Sequence, residues 1–431
     1  MRSFNLFTFN KYSFDQETKT LDLHYSLDDE INFKESFVFN FDFVEYDHQL
    51  LDRAFFSLFI MAGVSYYKSY MPRTIKINNN ILDTESSAFF SRTYESGLGE
   101  FFYNNKLDPK TKINFPIKES DKVIESKKNN QSKLVGIGGG KDSLLTLEIL
   151  KAAKQEITTW SVGHRAQLAP LVETMGTKHF FVDRVIDQNI IKLNEQGAMN
   201  GHVPISAILA MTGTIVAILS GISEVVVSNE KSADEPTLLY DGIQINHQFS
   251  KSSVFEKDYQ QYLKTQEGGN TNYYSFLRPI GELFIAELFA SIGFEKYKQV
   301  FSSCNRAFTQ GNNNMFWCGQ CPKCAFTFLI FTPFVERMEL ESLWDGKNLL
   351  LDPQLTRTYK ELLGIEGEKP LDCVGEIRES RLAMDMAKKI YPELSIYGYE
   401  SDNSYDYREI GPDSMPPESR NILLDYINNL N

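Results

Sequence analysis

The chain has 431 residues, 42% of them hydrophobic, enough to fill two or three domain cores at about 150 residues each. A formal charge of −13 argues against a broad nucleic-acid footprint, which needs a basic stripe, yet leaves room for a small anion held by a local cluster of cations. The N-terminus lacks the pattern of a secretion signal, and the longest apolar stretches, Ile208–Ile222 and Ala325–Val335, are too short or too broken to span a membrane. A soluble, cytoplasmic protein with neither nucleic-acid nor membrane partner is expected.

Residues 1–125 read as a β-rich α+β domain. Phe4, Phe7, Phe9 and Tyr12 open an aromatic segment. Leu21–Leu27 and Phe37–Phe43 alternate apolar and polar residues, the period of half-buried antiparallel strands. Helices are expected over Leu50–Gly63 and Ser87–Asn104. The lysine-rich run Asp121–Lys133 reads as a linker.

From Leu134 the pattern becomes strand, helix, strand, helix, which predicts a doubly wound, mainly parallel α/β domain over residues 132–345. Strands are expected at Leu134–Ile137, Ile157–Val162, His179–Val182 and Glu224–Ser228. Helices are expected at Leu144–Ala153, Leu168–Met175 and Val203–Ser220, the last almost wholly apolar and so buried. Between the first strand and its helix lie Gly138-Gly139-Gly140-Lys141-Asp142-Ser143. Three glycines let the backbone approach an anion, and the helix that follows aims its free N–H groups at the same place. The P-loop pattern fails, because Val135 stands where its first glycine belongs and Asp142 follows Lys141. The loop resembles that of the N-type ATP pyrophosphatases, Ser-Gly-Gly-x-Asp-Ser, with Gly138 in place of the first serine. That resemblance implies a PP-loop, HUP-type core that splits ATP into AMP and pyrophosphate while adenylating a substrate oxygen.

Other stretches of this domain carry site chemistry. His202 stands beside the start of the buried helix, as a ligand contact or a satisfied polar group. Ser228-Asn229-Glu230-Lys231 follows a strand directly, where ligands of such sheets sit. Asn246-His247-Gln248 and Lys251 crowd donors and cations that suit an anion, or else form a polar surface loop. Arg278, ahead of a helix expected over Ile280–Ser291, could grip a phosphate or carboxylate, or serve a structural ion pair.

Four of the five cysteines lie between residues 304 and 324. Cys304, Cys318, Cys321 and Cys324 have the spacing of a closed, structural zinc site, with free thiols or an iron–sulfur cluster as rivals. Cys373 stands apart and reads as a buried structural thiol. Residues 346–431 read as helical, with helices over Pro353–Leu363, Val374–Ile390 and Ser419–Leu430 and a loop over Gly398–Pro417.

Six motifs occur in order: Met61–Lys68, Gly97–Phe101, Ser228–Ala233, Asn246–Gln248, Cys318–Cys324 and Lys369–Gly375. Together with the triglycine loop they resemble the UDP-N-acetyl-α-muramoyl-L-alanyl-L-glutamate epimerase (MurL) family, over residues 40 to 390. The resemblance implies ATP-dependent conversion of the terminal L-Glu of a UDP-linked muramoyl dipeptide to D-Glu, a step in peptidoglycan precursor synthesis. Adenylation would neutralise the carboxylate so that a base can take the α-proton. AMP and pyrophosphate would leave. Gly138, Gly139, Gly140 and Ser143 would then hold the pyrophosphate, with Lys141 or Asp142 and Mg²⁺ in support. Lys231, His247 and Lys251 are the candidates for proton transfer or anion binding; His202, Ser228, Asn229, Glu230, Asn246 and Arg278 are those for substrate contact. The loop and cysteine cluster also resemble 7-cyano-7-deazaguanine synthase, and a nucleotide sensor is the non-enzymatic alternative.

Overall fold

The computed structural model describes residues 3–78, 82–118, 130–309, 314–402 and 404–430. Among them is one nine-stranded sheet. Its strands are β1 (Leu6–Asp15), β2 (Thr20–Leu27), β3 (Ile31–Phe39), β4 (Thr74–Ile77), β5 (Asn130–Gly136), β6 (Ile157–Val162), β7 (His179–Val185), β8 (Ile222–Val227) and, after a small hairpin of β9 (Leu238–Tyr240) and β10 (Ile243–Ile245), β11 (Asn272–Ser275). The spatial order is β11-β8-β5-β6-β7-β3-β2-β1-β4. β11, β8, β5, β6 and β7 run parallel. β3 pairs antiparallel with β7 at Phe37↔Arg184 and joins the N-terminal strands to this half.

Side chains that alternate along the strands feed two cores. Leu134 of β5, Val225 of β8 and Tyr273 of β11 join one cluster, while their neighbours Val135, Val226 and Tyr274 join the other. An unbroken apolar run therefore serves a strand covered on both faces. The Ile205–Ser220 helix lies on the first face; the Lys141–Ala152, Glu282–Ile292 and Pro322–Phe331 helices lie on the second. The chain lays β6 and β7 on one side of β5, then β8 and β11 on the other. The order reverses between β5 and β8, and a crevice opens there at the carboxyl ends of the strands.

Several elements depart from the sequence reading. The strand expected to reach Phe43 ends at Phe39, where its pairing with β7 runs out. The Ser87–Asn104 helix is two helices, Thr84–Gly97 and Gly99–Asn104, parted at Leu98. Val374–Glu376 precede the Ile377–Lys388 helix as extended chain, because Glu376 is its cap in a capping box with Glu379. The polar Ser253–Glu267 helix and the four-residue β11 were not foreseen. The linker expected over Asp121–Lys133 lies outside the described residues as far as residue 129, and Asn130–Lys133 belong to β5. No described helix is long and apolar enough to cross a membrane.

Candidate active site

β5 ends at Gly136, and the chain turns through Ile137-Gly138-Gly139-Gly140 into the Lys141–Ala152 helix. Gly139 has φ +91°, where a side chain is strained, and a Cβ there would stand 2.8 Å from Met315 Cε and 3.0 Å from Phe308 Cζ. No side chain caps the helix N-terminus, so its first N–H groups remain available for an anion. Ser143 Oγ donates to Gly140 O at 3.1 Å and steadies the turn.

A cleft of about 320 Å³ opens in front of this loop. Gly138, Gly140, Asp142 and Ser143 form its floor. Ser228 and Asn229, just beyond β8, form one wall; the Ser228 hydroxyl donates to Thr146 Oγ1 at 2.8 Å. Lys251 and Lys323 supply cations. Trp160, in β6, also lines the cleft, and its indole N–H is buried with no hydrogen-bond partner among the described residues.

The cysteine cluster builds the opposite wall. The sulfurs of Cys304, Cys318, Cys321 and Cys324 all lie within 4.8 Å of one another, with Cys304–Cys321 at 3.9 Å and Cys318–Cys324 at 3.8 Å. Disulfides need sulfurs about 2.05 Å apart. Four thiolates about 2.3 Å from one Zn²⁺ stand roughly 3.8 Å apart, so the donor set fits that ion. Ser303 and Asn305 flank Cys304, Lys323 sits between Cys321 and Cys324, and all three reach the cleft. Ser302 N donates to Gly139 O at 3.0 Å and ties the cluster to the glycine loop.

Other expected site residues point elsewhere. Lys141 turns inward, its ammonium 2.6 Å from Asp142 Oδ1 and bonded to buried Glu282. Arg278 is buried and grips Glu256 through Nε at 3.1 Å and Nη2 at 3.0 Å; it also donates to the carbonyls of Glu230 and Lys251. Its guanidinium is spent on shaping the wall. Glu230 is buried behind that wall. Lys231 reaches Glu409 at 3.2 Å and lines a separate depression with Arg278 and Arg378. Asn246 braces its own loop through Ala233 O and Gln248 N.

His202 and His247 meet around Glu100. His247 Nδ1 bonds Glu100 Oε2, and His202 Nδ1 lies 3.2 Å from the same oxygen. Burial disfavours a charged ring at His247, but hydrogen bonds with Cys373 and Glu100 outweigh it and push its pKa up to about 9. Burial and the neighbouring His247 push His202 down to about 4. The Cys373 sulfur accepts from Lys251 Nζ at 3.2 Å. Burial raises that thiol, yet Lys251, Lys323 and His247 bring it down to about 6. Cys373 is thus no isolated structural thiol. Lys323, Trp160, Glu100 and Cys373 were missed from the sequence. Glu100, Lys323 and Cys373 each fall inside a motif that carried the family resemblance, and that was the available signal.

An uncapped glycine turn at the reversal of a parallel sheet, faced by two lysines, defines an α/β protein with a cleft whose chemistry suits an anion. Residues 1–276 match a family model described as the MurL N-terminal domain, and residues 300–393 match the MurL C-terminal domain. The chain is 38% identical over 330 residues to a UDP-N-acetyl-alpha-D-muramoyl-L-alanyl-L-glutamate epimerase of Xanthomonas oryzae pv. oryzae, covering 76% of this chain and 72% of that protein. A Salinispora tropica protein of the same name is 35% identical over 394 residues, 90% of this chain and 85% of its own. One from a Micromonospora species is 36% identical over 338 residues, 78% and 75% of the two chains. The chain belongs to the MurL family.

Proposed function

We propose that this protein is an ATP-dependent epimerase that inverts the terminal L-Glu of UDP-MurNAc-L-Ala-L-Glu through an acyl-adenylate. The names of the relatives support the substrate and the inversion. The observation that carries the ATP reading is the uncapped triglycine turn on the floor of a cleft that Lys251 and Lys323 also line. On this reading residues 132–345 are a PP-loop, HUP-type unit between an N-terminal unit, 1–125, and a helical C-terminal one, 346–431. A cytoplasmic location suits an enzyme fed by ATP and a UDP-linked precursor.

The chemistry needs activation first. A free glutamate carboxylate resists losing its α-proton, since a second negative charge would build beside the first. Attack of that carboxylate on the α-phosphorus of ATP expels pyrophosphate and leaves a mixed anhydride whose acyl carbonyl is uncharged and electron-withdrawing, the remaining charge lying on the phosphate. Gly138, Gly140 and the first N–H groups of the Lys141–Ala152 helix would cradle the phosphates. Asp142 would hold Mg²⁺, which lowers phosphate charge when bound. The four cysteines would hold a structural Zn²⁺. Loss of the α-proton gives an enolate whose charge falls beside the lysines; a proton then returns on the other face, and hydrolysis frees the D-glutamyl product and AMP.

The test is incubation with ATP, Mg²⁺ and the UDP-linked dipeptide in deuterated water. AMP together with deuterium at the glutamate α-carbon is expected. AMP without α-exchange removes the epimerase reading, and absence of both removes adenylation as well.

A further inference from the structure

Resting on the epimerase reading, we infer that the Cys373 sulfur, flanked by Lys251 and by the His247–Glu100 pair, moves the α-proton of the substrate glutamyl residue. Lys251 connects it to the site: its Nζ is 3.2 Å from the sulfur, and the same side chain lines the cleft. Asn305, another lining residue, bonds Asp372 and holds the Cys373 segment against the cleft wall. Cys373 and His247 each shift the other's titration, and His247 Nδ1 is bonded to Glu100, so a carboxylate, an imidazole and a sulfur stand in sequence. The residue as a whole is half-buried, its sulfur lies inward, and the link to the cleft runs through Lys251. A thiol kept only for packing would sit among apolar groups and gain nothing from an ammonium and an imidazole.

In the step, the sulfur's lone pair takes the hydrogen from Cα. The C–H electrons pass to the carbonyl oxygen of the mixed anhydride and form the enolate. The new S–H bond is the only bond made to the protein. A proton from solvent water, delivered on the opposite face, restores the C–H bond with inverted configuration, the Cys373 S–H gives its proton back to solvent, and Cys373 serves one of the two faces. The fall of the thiol to about 6 and the rise of His247 to about 9 favour a thiolate beside an imidazolium at neutral pH. The charged groups acting on the sulfur are Lys251, Lys323 and His247, with Glu100 behind His247 and the neighbouring Asp372 bonded to Asn305.

The wild type and Cys373→Ser are each given ATP, Mg²⁺ and, in parallel, the L- and D-glutamyl epimers in deuterated water. In the variant, α-exchange from at least one epimer should fall by about 100-fold or more while AMP release stays within about threefold. Exchange retained from both epimers, or AMP release lost along with exchange in a folded variant, overturns the inference and leaves the wild-type epimerase result standing. A wild type that makes AMP without exchange overturns the broader reading instead. A second measurement does not depend on how the serine variant folds. Iodoacetamide labelling of the Cys373 peptide, followed by mass spectrometry across pH, should be half-maximal near pH 6 in the wild type and shift upward in His247→Gln. A profile unmoved by that substitution overturns the inference.

Discussion

Gly138 and Gly139 are neighbours with opposite tolerances. A Cβ on Gly138 meets nothing within 4 Å, whereas one on Gly139 meets Met315 and Phe308 at a backbone angle that disfavours any side chain. Gly139→Ala should therefore cost on the order of 1–3 kcal/mol and lower both the melting temperature and ATP affinity. Gly138→Ser should melt with the wild type. Calorimetric titration with Mg·ATP and a thermal scan of each variant check this; an unaffected Gly139→Ala would mean that the turn is not held as described. The Cys373–His247 pair sets a pH window. Its thiol is depressed, so that stabilisation is lost as pH falls through about 6; its imidazole is raised, so that stabilisation is lost as pH rises through about 9. kcat/KM should climb through the first value and decline through the second. Glu100→Gln removes the carboxylate behind His247 and should bring the alkaline limb down, while a flat profile from pH 5 to 10 would exclude the pair from the rate.

At the scale of elements, the cysteine cluster is part of the cleft and more than a remote staple. Cys304 and the Cys318–Cys324 turn place Ser303, Asn305 and Lys323 on one wall, and Ser302 bonds the glycine loop. One zinc per chain is expected by elemental analysis, with no visible absorption of an iron–sulfur cluster. Cys321→Ser or prolonged chelation should lower stability and weaken Mg·ATP binding together, since floor and wall are hydrogen-bonded. Unchanged ATP affinity in metal-free, folded protein would sever that link. This coupling explains what was legible in the sequence. The glycine turn, the four cysteines and the strands β5, β6 and β8 depend on local spacing, and each was visible. Side-chain direction depends on residues far along the chain. Lys141 read as a phosphate support, and Arg278 as an anion ligand or a structural ion pair; Glu282 holds the first, and Glu256 makes the second an ion pair. Cys373 looked inert because Lys251 is 122 residues away. The Ser253–Glu267 helix did carry a signal: Phe255, Tyr259, Tyr262 and Leu263 are buried at helical spacing, but its polar composition hid them. β11 has four residues, too few to show a period.

For the whole molecule, the question is whether the two halves of the sheet stand or fall together. Among the described residues their strands pair only between β3 and β7, and an ion pair closes one end of that seam. Glu35 is fully buried, and its Oε1 accepts from Arg184 Nε at 2.5 Å; Arg184 also reaches Ser65 Oγ at 3.2 Å. Around this pair the seam is aromatic, with Phe41 stacked on Phe180 at 4.2 Å, and one hydrophobic cluster runs from the N-terminal strands into the Ile205–Ser220 helix. Without the N-terminal strands, β7 would present an open edge and that cluster would lose a side. Removing one partner of a buried ion pair strands the other charge at a cost of about 3–5 kcal/mol, while replacing both by apolar residues is often neutral. Arg184→Ala should therefore lower the urea midpoint sharply, and Glu35→Leu with Arg184→Met should restore most of it. In every case the β1–β3 peptides, followed by hydrogen exchange, should lose protection at the same urea concentration at which the fluorescence of Trp160 in β6 changes. Earlier loss from β1–β3 with the Trp160 transition unmoved would mean that the seam joins two independently stable halves. The site would then owe nothing to the seam, although Glu100, the carboxylate that holds His247, comes from the N-terminal side of it.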